Sequence, residues 1–119
     1  MRSGDQLPCI GQHATIAEAI LEITRTRCGG VGVVDNDDHL VGAFTDGDLR
    51  RALGRAGIQA PVADHMSRSP TFVEPGASAS EAVRLMNERD RPILLIFAVE
   101  NGRLVGAAHM HDLLRAGVA

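Results

Sequence analysis

HLVGAFTDGDLRRA, residues 39–52, returns at residues 103–116 as RLVGAAHMHDLLRA, an offset of 64. The pairs Leu40/Leu104, Val41/Val105, Gly42/Gly106, Ala43/Ala107, Asp48/Asp112, Leu49/Leu113, Arg51/Arg115 and Ala52/Ala116 are identical, eight of fourteen positions, so the chain is two copies of one unit. Upstream the match runs at an offset of 63, with Thr15-Ile16-Ala17-Glu18-Ala19 facing Ser78-Ala79-Ser80-Glu81-Ala82, which places a one-residue slip in the strand and turn between. Both stretches read as capping boxes, a hydroxyl for an orphan backbone N–H and a Glu three residues on, and both predict helix starts. Ile16, Ile20 and Ile23 form one apolar stripe and Ala79, Val83 and Met86 the other, at the spacing of a face buried in a core.

After each helix comes an apolar, β-branched run, Val31–Val34 and Ile93–Val99, then a polar turn, Asp35–His39 and Glu100–Arg103, then a short strand beginning Leu-Val-Gly-Ala. Asp35-Asn36-Asp37-Asp38 has some likeness to a calcium loop, but the places of its Gly and distal Glu hold Leu40 and Asp46, so it reads as a turn. Each copy is strand, helix, strand, strand, helix, and neither is long enough to cover its own sheet. The expectation is an α+β globule with the two copies packed sheet to sheet about a pseudo-two-fold axis. Copy one spans 1–56, a linker with a short helix 57–65, and copy two 66–119; Pro61–Met66 joins them. Copy two opens with PVADHMSRSP before its strand, whereas copy one opens with MRSGDQLP, as if at the equivalent of Met66. This suggests a fragment of a longer protein.

A chain of 119 residues, 45% apolar, can bury one core, and a net charge of −3 without Trp or Tyr offers neither a basic face nor a stacking platform for nucleic acid. No apolar run approaches the ~20 residues that span a bilayer, and the N-terminus lacks a signal-peptide core. A cytoplasmic protein with no nucleic-acid or membrane partner fits. Cys9 and Cys28 share no metal-type spacing and read as reduced thiols.

The chemistry concentrates in FTDGDLRRAL, residues 44–53, where a strand meets a helix with Thr45 at the N-cap and Asp48 at N3. On the simplest reading Asp46 and Asp48 are anions at the positive end of a helix. Copy two complicates this, because His109 is expected to cap less well than Thr45 and yet Asp112 is kept. A carboxylate at a strand-to-helix turn can accept both hydroxyls of a ribose while free helix amides hold phosphate. Gly47 admits a close ligand and Arg50 or Arg51 offsets its charge. Asp46 disfavours a polyphosphate. His109 and His111 beside Asp112 raise a metal site, but residues two apart on a helix do not face each other, and none is assigned. The Ser-His-Asp order and paired carboxylates of a catalytic cleft are missing.

The duplicated unit ending in Gly-x-x-Thr-x-x-Asp-Leu resembles a cystathionine-β-synthase (CBS) domain over the whole chain, and two in tandem resemble a Bateman module. More narrowly, LVGAFTDGDLRRAL followed by GRLVGAAHMHDLLRAGV is similar to the C-terminal CBS pair of arabinose-5-phosphate isomerases of the KdsD/KpsF type, which feed Kdo synthesis for lipopolysaccharide or capsule. The resemblance implies phosphate and ribose contacts from Thr45 and Asp48, with Asp112 matching in copy two. There His109 and Met110-His111 depart from the pattern. It also implies a base lying near Pro8–Ile10 and Pro70–Phe72. Thr45, Asp46, Asp48, Arg51, Pro70, Thr71, His109, His111 and Asp112 are therefore the candidate ligand-binding residues. No cofactor is required; a nucleotide or a nucleotide sugar such as CMP-Kdo is the implied effector, a sugar-isomerase (SIS) domain the implied attached partner, and a homodimer the implied assembly. Exposed apolar positions along Leu49–Leu53 and Leu113–Val118 support pairing. The competing readings are a ligand-free assembly module and a free-standing enzyme.

Overall fold

The computed structural model describes residues 1–88 and 93–115. Copy one holds β1 (Cys9–Gly11), α1 (Ile16–Thr26), β2 (Gly30–Val34), β3 (Leu40–Thr45) and α2 (Asp46–Leu53), and copy two β4 (Phe72–Val73), α3 (Ala79–Asn87), β5 (Leu95–Glu100), β6 (Arg103–His109) and α4 (Met110–Arg115). Each makes a three-stranded sheet in sequence order, the first pair of strands parallel and the second antiparallel. The two hairpins bulge at matching places, between Val33 and Val34 and between Ala98 and Val99.

The register resolves the one-residue slip into two opposed changes. Gly32 pairs with Ala43 and Phe97 with Ala107, so the central strands match at an offset of 65. Copy two thus carries two extra residues before β5 and a hairpin turn shorter by one. That leaves the net offset of 64 seen in the last strand and helix.

Three apolar clusters make the layers: Ile16, Ala19, Val31, Val33, Phe44 and Ala52 under the helices of copy one, Val73, Ala82, Met86, Ile96 and Ala108 under those of copy two, and Val34, Ala43, Phe97, Leu104 and Ala107 between the sheets. The predicted sheet-to-sheet packing is this middle cluster. Two symmetric seams reinforce it. The hairpin turns exchange Leu40 N–H to Gly102 O at 3.0 Å and Leu104 N–H to Asp38 O at 2.9 Å. The segment leading into each copy crosses to the last strand of the other, Ser67 pairing with Ala43 and Arg2 with Ala107. Met66 lies so close over Gly42 that a Cβ there would come within 2.5 Å of its sulfur, and Met1 lies over Gly106 more loosely, its sulfur 3.5 Å from the place of such a Cβ. Met1 thus occupies the place that Met66 has in copy two.

Thr15 and Glu18 form the full capping box of α1, and the linker completes that helix end, Ala60 O and Ile58 O accepting the amides of Ile16 and Ala17. Val62, in a single 3-10 turn of the linker, is fully buried against α1. At α3 the predicted box forms only by half. Ser78 Oγ accepts the Glu81 amide, but the Glu81 carboxylate turns to Arg84 one turn on, a charge-assisted pair stronger than a neutral amide contact. Among the described residues no helix is long and apolar enough to cross a membrane.

Candidate functional site

A cleft of about 590 Å³ opens between the two copies, floored by the β3–α2 turn and roofed by the start of copy two. It gathers seven of the nine residues singled out from sequence: Thr45, Asp46, Asp48, Arg51, Pro70, Thr71 and His109. His111 and Asp112 do not line it. Phe72 lies instead on a shallower groove with Leu40, Arg68 and Val99, while Pro8 is fully buried and, with Cys9 and Ile10, lies away from the cleft.

The turn is held by Asp48, which is only 6% exposed. Its Oδ2 accepts the Thr45 amide at 3.0 Å and hydroxyl at 3.1 Å, its Oδ1 accepts the Arg51 guanidinium, and Ser67 Oγ donates from the crossing segment at 3.3 Å. The Asp48 amide in turn goes to Thr45 Oγ1, and the Asp46 amide to Gly29 O at 3.0 Å. Three backbone amides at this turn are therefore taken internally, contrary to the expectation of a free helix start for phosphate. The groups facing the cleft are instead the exposed Asp46 carboxylate and Arg50 guanidinium, which has no ion-pair partner among the described residues, with the hydroxyls of Ser67, Ser69 and Thr71.

The corresponding turn in copy two is built differently. Asp112 Oδ2 accepts the His109 amide at 3.1 Å, as Asp48 accepts that of Thr45, but the crossing residue is Arg2, whose Nε reaches Oδ2 at 3.0 Å and whose second nitrogen reaches Oδ1 at 3.3 Å. Arg115 adds a third contact at 2.8 Å. Burial alone pushes the Asp112 carboxyl up, but the bonds from Arg2, His109 and Arg115 outweigh it and hold the group at about 2. His109 also caps better than expected: its Nδ1 accepts the His111 amide at 3.1 Å, a ring nitrogen doing the work of the Thr45 hydroxyl.

Of the opposite wall, sequence reasoning named Pro70 and Thr71 but missed Ser67 and Ser69. Ser67, Ser69 and Thr71 alternate at the period of an extended segment, a signal visible in SRSPT once the crossing is known. Cys28, Gly29 and Ile93–Leu95 complete the lining, Leu94 being 58% exposed and Gly29 holding φ +74° beside Asp46. The acidic turn is a turn: Asp35 Oδ1 accepts the amides of Asp37 and His39 at 2.9 and 3.0 Å. Of the exposed helix positions, Leu53 and Leu114 are half exposed while Leu113 is buried in the core; those beyond Arg115 lie outside the described residues.

Comparison with known proteins gives concordant matches. The CBS domain model matches residues 1–55 and 62–119. The arabinose 5-phosphate isomerase KdsD of Salmonella typhimurium is 41% identical over 120 residues, 99% of this chain and 36% of that protein, and KdsD of Yersinia pestis 39% over the same share. The chain thus spans about a third of the length of these relatives. Among solved structures, an uncharacterized conserved protein of Pyrococcus horikoshii superposes with a TM-score of 0.79 at 26% identity, over 97% of this chain and 87% of that one. A structure of CBSX2 in complex with AMP, a protein of Arabidopsis thaliana, superposes with a TM-score of 0.80 at 22% identity, over 98% and 91%.

Proposed function

The chain belongs to the CBS domain family, and from that premise we propose that it is a regulatory module taking one nucleotide or nucleotide sugar in the cleft between its copies. The observation that carries this reading is the cleft itself, which sets the exposed Asp46 carboxylate and Arg50 guanidinium of α2 opposite Ser67, Ser69 and Thr71, beside the apolar Ile93–Leu95 shelf. A carboxylate suits sugar hydroxyls, a lone guanidinium suits one phosphate or carboxylate, and an apolar shelf suits the face of a base. Asp46 and Asp48 balance Arg50 and Arg51, so the lining carries no net positive charge from these four and favours a weakly charged ligand over a polyphosphate. CMP-Kdo, with a cytidine ribose and a sugar acid, matches these features.

The likeness to KdsD supports placing the module in an arabinose 5-phosphate isomerase of the cytoplasm, a SIS domain outside this segment carrying the chemistry. The effector then shifts the isomerase equilibrium only as far as its affinities for the two states differ. A second reading, a ligand-free assembly module, draws on the half-exposed Leu53 and Leu114, which suit pairing of two copies. Calorimetry with AMP, ATP, CMP and CMP-Kdo separates the two. The regulatory reading expects CMP-Kdo or CMP to bind more tightly than ATP, and binding to fall on Asp46→Ala. Silence toward all four, or affinity indifferent to Asp46→Ala, would sink it.

A further inference from the structure

We infer that His109 is locked as the Nε2–H tautomer and offers that N–H to an acceptor oxygen of the ligand, a carbonyl or carboxylate. The inference rests on the cleft being the ligand site. A neutral imidazole has one donor and one acceptor nitrogen. Nδ1 of His109 accepts the His111 amide at 3.1 Å, so the ring proton belongs on Nε2. Two further contacts hold the residue: its backbone amide is tied to Asp112 Oδ2 at 3.1 Å, and the His111 imidazole stands edge-on to its ring with centroids 4.8 Å apart. His109 is half-buried and lines the cleft that also holds Thr45, Asp46 and Thr71. Burial, then the positive or ionisable neighbours His111, Arg2 and Arg115, outweigh Asp112 and hold the ring's pKa below its ordinary range.

The consequence is a division of labour within the cleft. Asp46 can only accept, whereas a hydroxyl such as that of Ser69 can turn to do either, so a fixed neutral donor discriminates where they do not. It favours a ligand with an acceptor at that point over one presenting a hydroxyl or amino group there, and a donor held by its other nitrogen loses no orientational freedom on binding. One turn thereby serves as helix cap on one side and as ligand contact on the other.

Two substitutions separate the roles, since an Asn side chain can reach the place of Nδ1 and a Gln that of Nε2. His109→Asn keeps a good helix cap but lacks the distal donor. The expected result is wild-type thermal stability with CMP-Kdo or CMP bound roughly three- to tenfold more weakly, the loss of one neutral hydrogen bond. His109→Gln should show the reverse, a lower melting temperature with affinity largely retained. Long-range ¹H–¹⁵N spectra of the whole chain at pH 7.5 should show the Nε2–H pattern without any ligand. An Nδ1–H or doubly protonated ring overturns the lock, and an Asn variant that binds as well as wild type overturns the donor role. If the wild-type chain binds none of the nucleotides, the regulatory reading and the donor role fail together, while the spectrum alone still decides the lock.

Discussion

The two strand-to-helix turns share a carboxylate at the third helical position and the same backbone bond to it, yet they have opposite surroundings. Asp48 is sealed beneath the cleft by a hydroxyl from the crossing segment, Ser67, and by one arginine of its own helix. Asp112 is clamped on the outside by two arginines, one of them, Arg2, at the position equivalent to Ser67. The difference teaches that in this pair the repeated aspartate is first a folding device, since in both turns it closes the helix start from within. Whether a cleft forms beside it depends on what the opposite copy sends across. A serine leaves room at the first turn, whereas a guanidinium occupies the corresponding side of Asp112.

The largest expected effect comes from breaking the buried turn. Asp48→Ala strands the Thr45 amide and the Ser67 hydroxyl beside an almost fully enclosed position, while the largely exposed Arg51 regains water, a loss of about 2 kcal/mol in urea unfolding. Asp112→Ala should cost only about 1 kcal/mol, because Arg115 is largely exposed and Arg2 partly so, and both regain water. Equal losses from the two substitutions would show that the turns are energetically alike and the crossing residue irrelevant.

A mid-sized effect separates the two through acid. The folded Asp112 carboxyl sits at about 2 against an ordinary 3.8, so its contribution is fully present above pH 3.8 and is lost as pH falls toward 2. Arg2→Ser, which gives copy two the residue copy one has, removes the strongest bond to that carboxylate. Carbon-detected titration should then find Asp112 ionising nearer its ordinary range, and the variant should lose less stability than wild type between pH 4 and pH 2. An unchanged Asp112 titration would mean that His109 and Arg115 alone hold it down.

The same comparison marks what could be read from sequence. Local signals sufficed for the elements: hydroxyl caps, the 3.6-residue stripes and the paired hairpins each act within a few residues, and the repeat made every such signal count twice. Sheet-to-sheet packing followed from the short copies, which cannot cover themselves. The failures were of two kinds. Glu81 turned away from Ser78 because Arg84 offered it a stronger partner, a competition that a capping pattern does not display. The two serines of the SRSPT wall and the exclusion of Asp112 from the cleft depend on segments crossing between copies. Ser67 lies beside Asp48, and Arg2 beside Asp112, only once the two sheets are assembled, so no spacing along the chain encodes either neighbour.

The smallest effect is the most selective, because it concerns the one chemical difference between the two caps. Thr45 Oγ1 does not titrate, whereas Nδ1 of His109 stops accepting the His111 amide when it takes a proton. Burial, with His111, Arg2 and Arg115, depresses the folded His109 below its ordinary 6.5 against the pull of Asp112. The neutral-ring contribution is therefore whole above pH 6.5 and is lost as pH falls through 6.5 toward the lower folded value. Amide hydrogen exchange read at both turns should show the His111 amide losing protection as the pH falls below 6.5, relative to its intrinsic rate, while the Asp48 amide keeps its own. Parallel loss at both amides would place the change in global stability rather than in the cap. Constant protection at His111 would mean that its amide has a partner other than the imidazole, and the two turns would then differ in geometry alone.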